Sequence, residues 1–143
     1  MRFITIDSSV FVSSARPMEP GHEHSSRFLA WVKQARPRIY LPTLVLVEIA
    51  AALSRTGSEA SLAQRFAGSI AQLPNVVMVG LDEGLARQAA LLGAEYKLRG
   101  ADAVYVATAA QFGAELITLD EEQSQRGAKV VAACNPGVFE YSP

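Results

Sequence analysis

Short apolar runs, each five or six residues long, recur along the chain and are separated by longer stretches of mixed polarity. The runs "RFITI", "RIYLP", "NVVMVG", "ELITL" and "KVVAA" are rich in β-branched residues and read as five strands. The intervening stretches carry helical spacing and helical boundary signals. "HEHSSRFLAWVKQA" stops before Pro37, residues 43–55 open at Thr43, residues 58–73 open at Ser58, and residues 82–98 open at Asp82, all three being residues that cap helices. The Ala-rich "ADAVYVATAAQF" ends at Gly113. Its Val104, Tyr105, Val106 and Thr108 would suit a strand, but its length and alanines favour a helix, and the following "ELITL" needs a crossover before it. Strand and helix alternate throughout, which predicts an α/β fold with a central parallel sheet and helices on both faces. "SARPMEPGHEH", with two prolines and a glycine, reads as an irregular loop.

One helix carries a polar residue where none is expected. Glu48 sits inside "LVLVEIAAAL", and its helical neighbours Leu44, Val45, Ala51 and Ala52 offer nothing to neutralise it. A buried carboxylate without a partner is costly, so the partner must come from elsewhere in the fold. In an open parallel sheet, ligands bind beyond the carboxyl ends of the strands. Asp7 directly follows the first strand and Asp120 follows "ELITL", while Asp102 opens a helix and Glu48 lies in the helix after "RIYLP". The starts of those helices share the same edge, so four acids distant in sequence are expected to converge there.

Each acid also has a local reading. Asp7-Ser8-Ser9 can turn or cap the chain after a strand, Asp120 can serve a turn, and Asp102 can complement a helix dipole. Glu48 can pair with a distant arginine. Together they suggest more. Two like charges about 4 Å apart repel by roughly 4 kcal/mol at an effective dielectric of about 20, and a divalent cation reverses that sign. Oxygen donors without Cys or His suit Mg²⁺ or Mn²⁺ rather than zinc or copper. Mg²⁺ commonly shares its shell with phosphate oxygens, which points to phosphodiester chemistry with metal-activated water as the attacking group.

Composition narrows the setting. The 143 residues suit one domain, and 50% hydrophobic against 19% charged residues places the chain among globular proteins, with apolar surface to spare for a partner. Thirteen Lys and Arg against fourteen Asp and Glu leave a net charge of −1, so any nucleic-acid binding must rely on local basic residues or a bound cation. A single cysteine, Cys134, excludes an internal disulfide and a multi-cysteine zinc site, and reads as a small buried hydrophobe. With no signal-like or membrane-spanning run, the expectation is a soluble, cytoplasmic protein. The H-x-H of His22 and His24 lacks further ligands, Phe28 and Trp31 suit a core or a contact surface, and Arg55 and Arg99 are either phosphate contacts or ordinary charges. There is no P-loop and no G-x-G-x-x-G. A phosphotransfer or phosphatase site would want paired aspartates after the first strand, where "DSSV" has one.

The order "IDSSV", a glutamate in the helix after the second strand, "LRGADAVYVATA" and then "LITLD" resembles the PIN-domain nucleases, especially the VapC-type toxins of toxin–antitoxin pairs, over nearly the whole chain. The resemblance implies one PIN-like nuclease domain over 1–143 and a Mg²⁺- or Mn²⁺-dependent endoribonuclease that leaves a 3′-hydroxyl and a 5′-phosphate. It carries the acidic site, both catalytic and metal-binding, onto Asp7, Glu48, Asp102 and Asp120. Ser9 and Thr118 match small hydroxyl residues beside the first and last acids. The implied partners are an RNA substrate, a cognate VapB-type antitoxin and a second copy in a homodimer. Many relatives place an aromatic soon after the last acid, where this chain has "EEQSQRG", so Glu121 or Glu122 could assist or replace Asp120. A PIN-like module that binds RNA or protein without cutting is the alternative.

Overall fold

The computed structural model describes residues 1–141. Its elements run β1 (Phe3–Ile6), α1 (Ser8–Ser14), α2 (His22–Ala35), β2 (Arg38–Pro42), α3 (Leu44–Arg55), α4 (Ala60–Ala71), β3 (Val76–Val79), α5 (Glu83–Tyr96), α6 (Gly100–Phe112), β4 (Glu115–Ile117), α7 (Glu121–Gly127) and β5 (Ala133–Cys134), followed by a 3₁₀ turn over Pro136–Val138. The five strands form one sheet in the order β3-β2-β1-β4-β5, with every pairing parallel. The chain steps from β1 outward to β3, then crosses back over α5 and α6 to β4 on the other side of β1. Right-handed crossovers put α1–α4 on one face and α5–α7 on the other. The reversal of direction opens a crevice between β1 and β4 at their carboxyl ends.

Apolar burial holds this arrangement. Ile4, Ile6, Leu41, Leu116 and Ile117 from the central strands are fully enclosed, each contributing about 1.5–3 kcal/mol by leaving water. On α3 the buried stripe is Val45, Ile49 and Leu53, four residues apart, which places Glu48 beside the stripe rather than within it. Helix α6 is buried from Ala103 to Ala109 without interruption and crosses β1, β2 and β4. A helix enclosed on all sides needs no polar face, which is why its sequence looked partly like a strand. Gly127 lets α7 approach α6 closely, since a Cβ there would lie 3.2 Å from Val106 Cγ2.

Several expectations change. Two short helices, α1 and α7, occupy stretches with no predicted element. Thr43 makes no side-chain cap, having helical φ and ψ itself, and its N–H donates to Val79 O instead. Helix α4 starts after Glu59 rather than at Ser58. The last strand is confined to Ala133–Cys134, because Val130 and Val131 close a turn onto Gly127 O. His22 and His24 begin α2 instead of lying in a loop, and His22 Nδ1 stands 2.9 Å from Ser13 O. Phe28 and Trp31 pack with Phe139 in an aromatic cluster, capped by the Arg2 guanidinium 4.3 Å from the Phe139 ring centre. Cys134 is half-buried, with its thiol 3.6 Å from Glu115 Oε2, and burial and that carboxylate push it up to about 12. Among the described residues, no helix is long and apolar enough to cross a membrane.

Candidate active site: an acidic cluster at the sheet crevice

Asp7 and Asp120 leave the sheet on either side of the β1–β4 crevice. Asp7 N donates to Ile117 O at 2.9 Å, which fixes the end of β1 against β4. The Asp7 side chain is 6% exposed and caps α1, its Oδ2 accepting from Ser9 N at 3.0 Å. Asp120 caps α7 in the same manner, with Oδ1 accepting from Gln123 N at 3.0 Å. The local reading of Asp7 as a cap therefore holds, while Asp120, read as a turn residue, is a helix cap as well, because a carboxylate at a helix start satisfies an otherwise unpaired N–H. Ser9 Oγ accepts from Leu119 N at 3.1 Å and ties the two loops together.

Glu48 and Asp102 come from one helix on each face. Glu48 finds its partner 57 positions away: the hydroxyl of the fully buried Tyr105, on α6, donates to Glu48 Oε1 at 2.7 Å. Asp102, in the first turn of α6, is half-buried and lies near exposed Arg99.

Burial and neighbouring charge raise three of the acids, and the charge of Asp120 adds to two of them. Burial raises the Asp7 carboxyl; the side chain and N–H of Ser9 and the Gln123 amide oppose this, and the charge of Asp120 adds to it. Burial also raises Glu48, against the Tyr105 hydrogen bond, with a further push from Asp7. Asp102 is pushed up to about 6, first by burial and then by Asp7 and Asp120, with Arg99 only partly offsetting them and Glu48 adding a little. Burial and the charges of Asp7 and Glu48 drive the Tyr105 phenol upward, so it stays a proton donor. Such a set of raised carboxyls is undercompensated negative charge, and an all-oxygen set of this kind suits a hard divalent cation. In the arrangement described, no three His, Cys, Asp or Glu side chains are gathered closely enough to hold an ion among the described residues. Asp7, Asp120 and Glu48 are each drawn to a protein donor of their own.

The remaining candidates lie outside the cluster's bonding. Glu122 pairs with Arg126 at 2.7 Å and Glu121 accepts from Gln125 at 3.1 Å, both along the exposed side of α7. Two residues bonded to the acids were not singled out from the sequence as site residues, Tyr105, through its hydroxyl to Glu48, and Gln123, through its N–H to Asp120. Their residue types are ordinary for a helix, and only long-range packing brings them to the site.

A protein-family model described as the PIN domain matches residues 4–129. The chain belongs to the PIN-domain family. Several solved structures share this PIN fold. VapC20 of Mycobacterium tuberculosis, described as a sarcin-ricin loop cleaving toxin, superposes with a TM-score of 0.73 at 21% identity, covering 87% of this chain and 95% of that one. FitAB bound to an IR36 DNA fragment gives 0.72 at 23% identity, with 96% and 97% covered. A toxin–antitoxin complex from Klebsiella pneumoniae gives 0.66 at 17% identity, with 93% and 97% covered. A search of curated proteins finds no match.

Proposed function

We propose that this PIN domain is a divalent-metal-dependent endoribonuclease and the toxin of a toxin–antitoxin pair. The observation that carries the reading is the approach of Asp7, Glu48, Asp102 and Asp120, from four separate elements, to the crevice between β1 and β4, where burial first and neighbouring acids next raise the carboxyls of Asp7, Glu48 and Asp102. Such repulsion is a standing cost in the metal-free protein and becomes attraction once a cation binds. In this reading Asp7, Glu48 and Asp102 hold the principal ion, Mg²⁺ or Mn²⁺, and Asp120 completes the site. The ion would supply activated water and neutralise charge developing on the phosphoryl oxygens.

The chain's own groups have separate tasks. The Ser9 N–H and the Tyr105 hydroxyl fix one oxygen each of Asp7 and Glu48, so that both carboxylates keep their orientation when the ion and the RNA phosphate arrive. Burial of Asp7 and Tyr105 excludes water behind the site and strengthens the field at its mouth. In this reading Arg99, exposed at the start of α6, meets an RNA phosphate. The toxin assignment, with an antitoxin as partner, draws its support from the toxins and toxin–antitoxin complexes that share the fold, and a homodimer is part of the same reading.

The test is cleavage of a panel of structured RNAs by purified protein with Mg²⁺, Mn²⁺ or EDTA, with Asp7→Asn alongside. Metal-dependent cleavage that the substitution abolishes supports the nuclease. If the folded, partner-free protein cuts nothing under any metal, the same crevice belongs to a binding module. An adjacent short reading frame for a DNA-binding antitoxin would support the toxin assignment.

A further inference from the structure

The turn between α5 and α6, Lys97-Leu98-Arg99, carries two cations without an ion-pair partner. Lys97 and Arg99 are both exposed and, among the described residues, neither lies in a salt bridge. Leu98 between them is half-buried and packs against the core, so the cations flank an anchored residue. Arg99 gains nothing locally from its place. It is the N-cap of α6, where its side chain makes no cap hydrogen bond and its charge faces the positive end of the helix dipole. It stands three residues before Asp102 and close enough to oppose the rise of that carboxyl. The turn is also held from outside. Arg126 Nη1 donates to Lys97 O at 2.5 Å and to Glu122 Oε1 at 2.7 Å, so one half-buried guanidinium joins the turn to α7, the helix that Asp120 caps. Lys97 itself has a left-handed backbone, with φ 57°, which is uncommon for a residue with a Cβ. Glu122 neutralises Arg126, and Lys97 and Arg99 remain as the free charges of the turn.

We propose that the α5–α6 turn is a grip for the RNA backbone, in which Lys97 and Arg99 each meet a phosphate, and that Arg126 is the positioning residue that holds the turn for them. This rests on the RNA substrate proposed above and adds the path of the strand, which runs from Asp102 over the start of α6 toward the end of α5. A net charge of −1 gives RNA no general attraction to the protein, so local cations of this kind must supply it. Arg126 touches no RNA in this scheme, because its guanidinium is committed to Lys97 O and Glu122.

The experiment is fluorescence anisotropy of a short labelled poly(U) RNA with the purified full chain, in EDTA so that nothing is cut, over a series of KCl concentrations. Phosphate contacts are independent of sequence, and each contributes about 0.7 to the slope of log affinity against log salt on a single strand. Lys97→Gln and Arg99→Gln should each lower the slope by about 0.7, and together by about 1.4. Arg126→Met combined with Glu122→Gln removes the tether at constant net charge and should lower the slope by about 0.7 or more. Arg126→Lys, whose one nitrogen can reach both acceptors, should keep the wild-type slope. A merely structural tether predicts a lower melting temperature with an unchanged slope, and that result would overturn the role of Arg126. Unchanged slopes in the Lys97 and Arg99 variants, or a wild type that fails to bind poly(U) in a salt-dependent way, would overturn the grip. Should the combined variant not fold, the slope of Arg126→Gln against that of Arg126→Lys decides. The cleavage panel keeps the two readings apart. Salt-dependent binding without cleavage under any metal leaves the grip and removes the nuclease, whereas metal-dependent cleavage with unchanged slopes leaves the nuclease and removes the grip.

Discussion

Asp102→Asn should stabilise the metal-free protein, and the size of the gain can be worked from the structure. Asp102 is held at about 6 against an ordinary 3.8, by burial first and by Asp7 and Asp120 next. For a fully buried carboxyl that difference would cost the ionised folded protein about 3 kcal/mol. Asp102 is only half-buried and screened by water, so about half, roughly 1.5 kcal/mol, is the reasonable share. The substitution also gives up the attraction between a carboxylate and the start of α6, about 0.3–1 kcal/mol, leaving a net gain of about 1 kcal/mol. The pH dependence follows from the direction of the shift. The folded state holds its proton to higher pH than the unfolded state, so wild-type stability is fully present below about pH 4 and is lost as pH rises through about 6. The advantage of Asp102→Asn should therefore be near zero in acid, open between about pH 4 and 6, and stay constant above. Urea unfolding in EDTA across that range measures it, and saturating Mn²⁺ should reverse the order of the two proteins. An advantage of equal size in acid and at neutrality, or none at neutrality, would refute the claim that Asp102 belongs to a repelling cluster.

Asp7→Asn should abolish RNA cleavage while the protein stays folded, since the amide oxygen can still accept from Ser9 N; circular dichroism beside the cleavage assay checks both. Tyr105→Phe removes the donor to Glu48 and should cost about 1–2 kcal/mol in stability. Because that bond holds the Glu48 carboxyl down, its loss should move the acid limb of the pH–rate profile to higher pH. Arg2→Ala breaks the 2.9 Å pair with Glu115, the contact with the Phe139 and Trp31 rings and the bond to Glu140 O, and should lower stability by about 1–2 kcal/mol in a thermal melt. As Arg2 stands at the opposite end of β1 from Asp7, cleavage below the melting range should not change.

The sheet was legible because strands enclosed on both faces must be apolar throughout, and "RFITI" and "ELITL" announce that without any tertiary information. The long helices were legible by period. The short ones were hidden: α1 is the seven residues "SSVFVSS", whose hydroxyl and β-branched residues disfavour a helix, and it forms because Asp7 caps it and Val10 and Phe11 are buried. Glu48 showed the limit most clearly. Its isolation could be read from its helical neighbours, but its partner lies on another helix across the sheet edge, and helical spacing carries no trace of it. Gln123 was invisible for the same reason, being remarkable only for what the fold encloses around it.

The way the acids are tethered bears on which ions can use the crevice. Asp7 gives Oδ2 to Ser9, Asp120 gives Oδ1 to Gln123 and Glu48 gives Oε1 to Tyr105. Each thus offers an incoming cation one oxygen with nothing bound to it, while its other oxygen is already shared with a bond that starts a helix or fills a buried hydroxyl. Calcium, which favours six to eight oxygens and readily takes a carboxylate through both, is poorly served by one-toothed donors. If the crevice is the metal site proposed above, a small octahedral ion that keeps most of its own water needs no more than they offer, and the helix caps of this fold would act as a filter on coordination number.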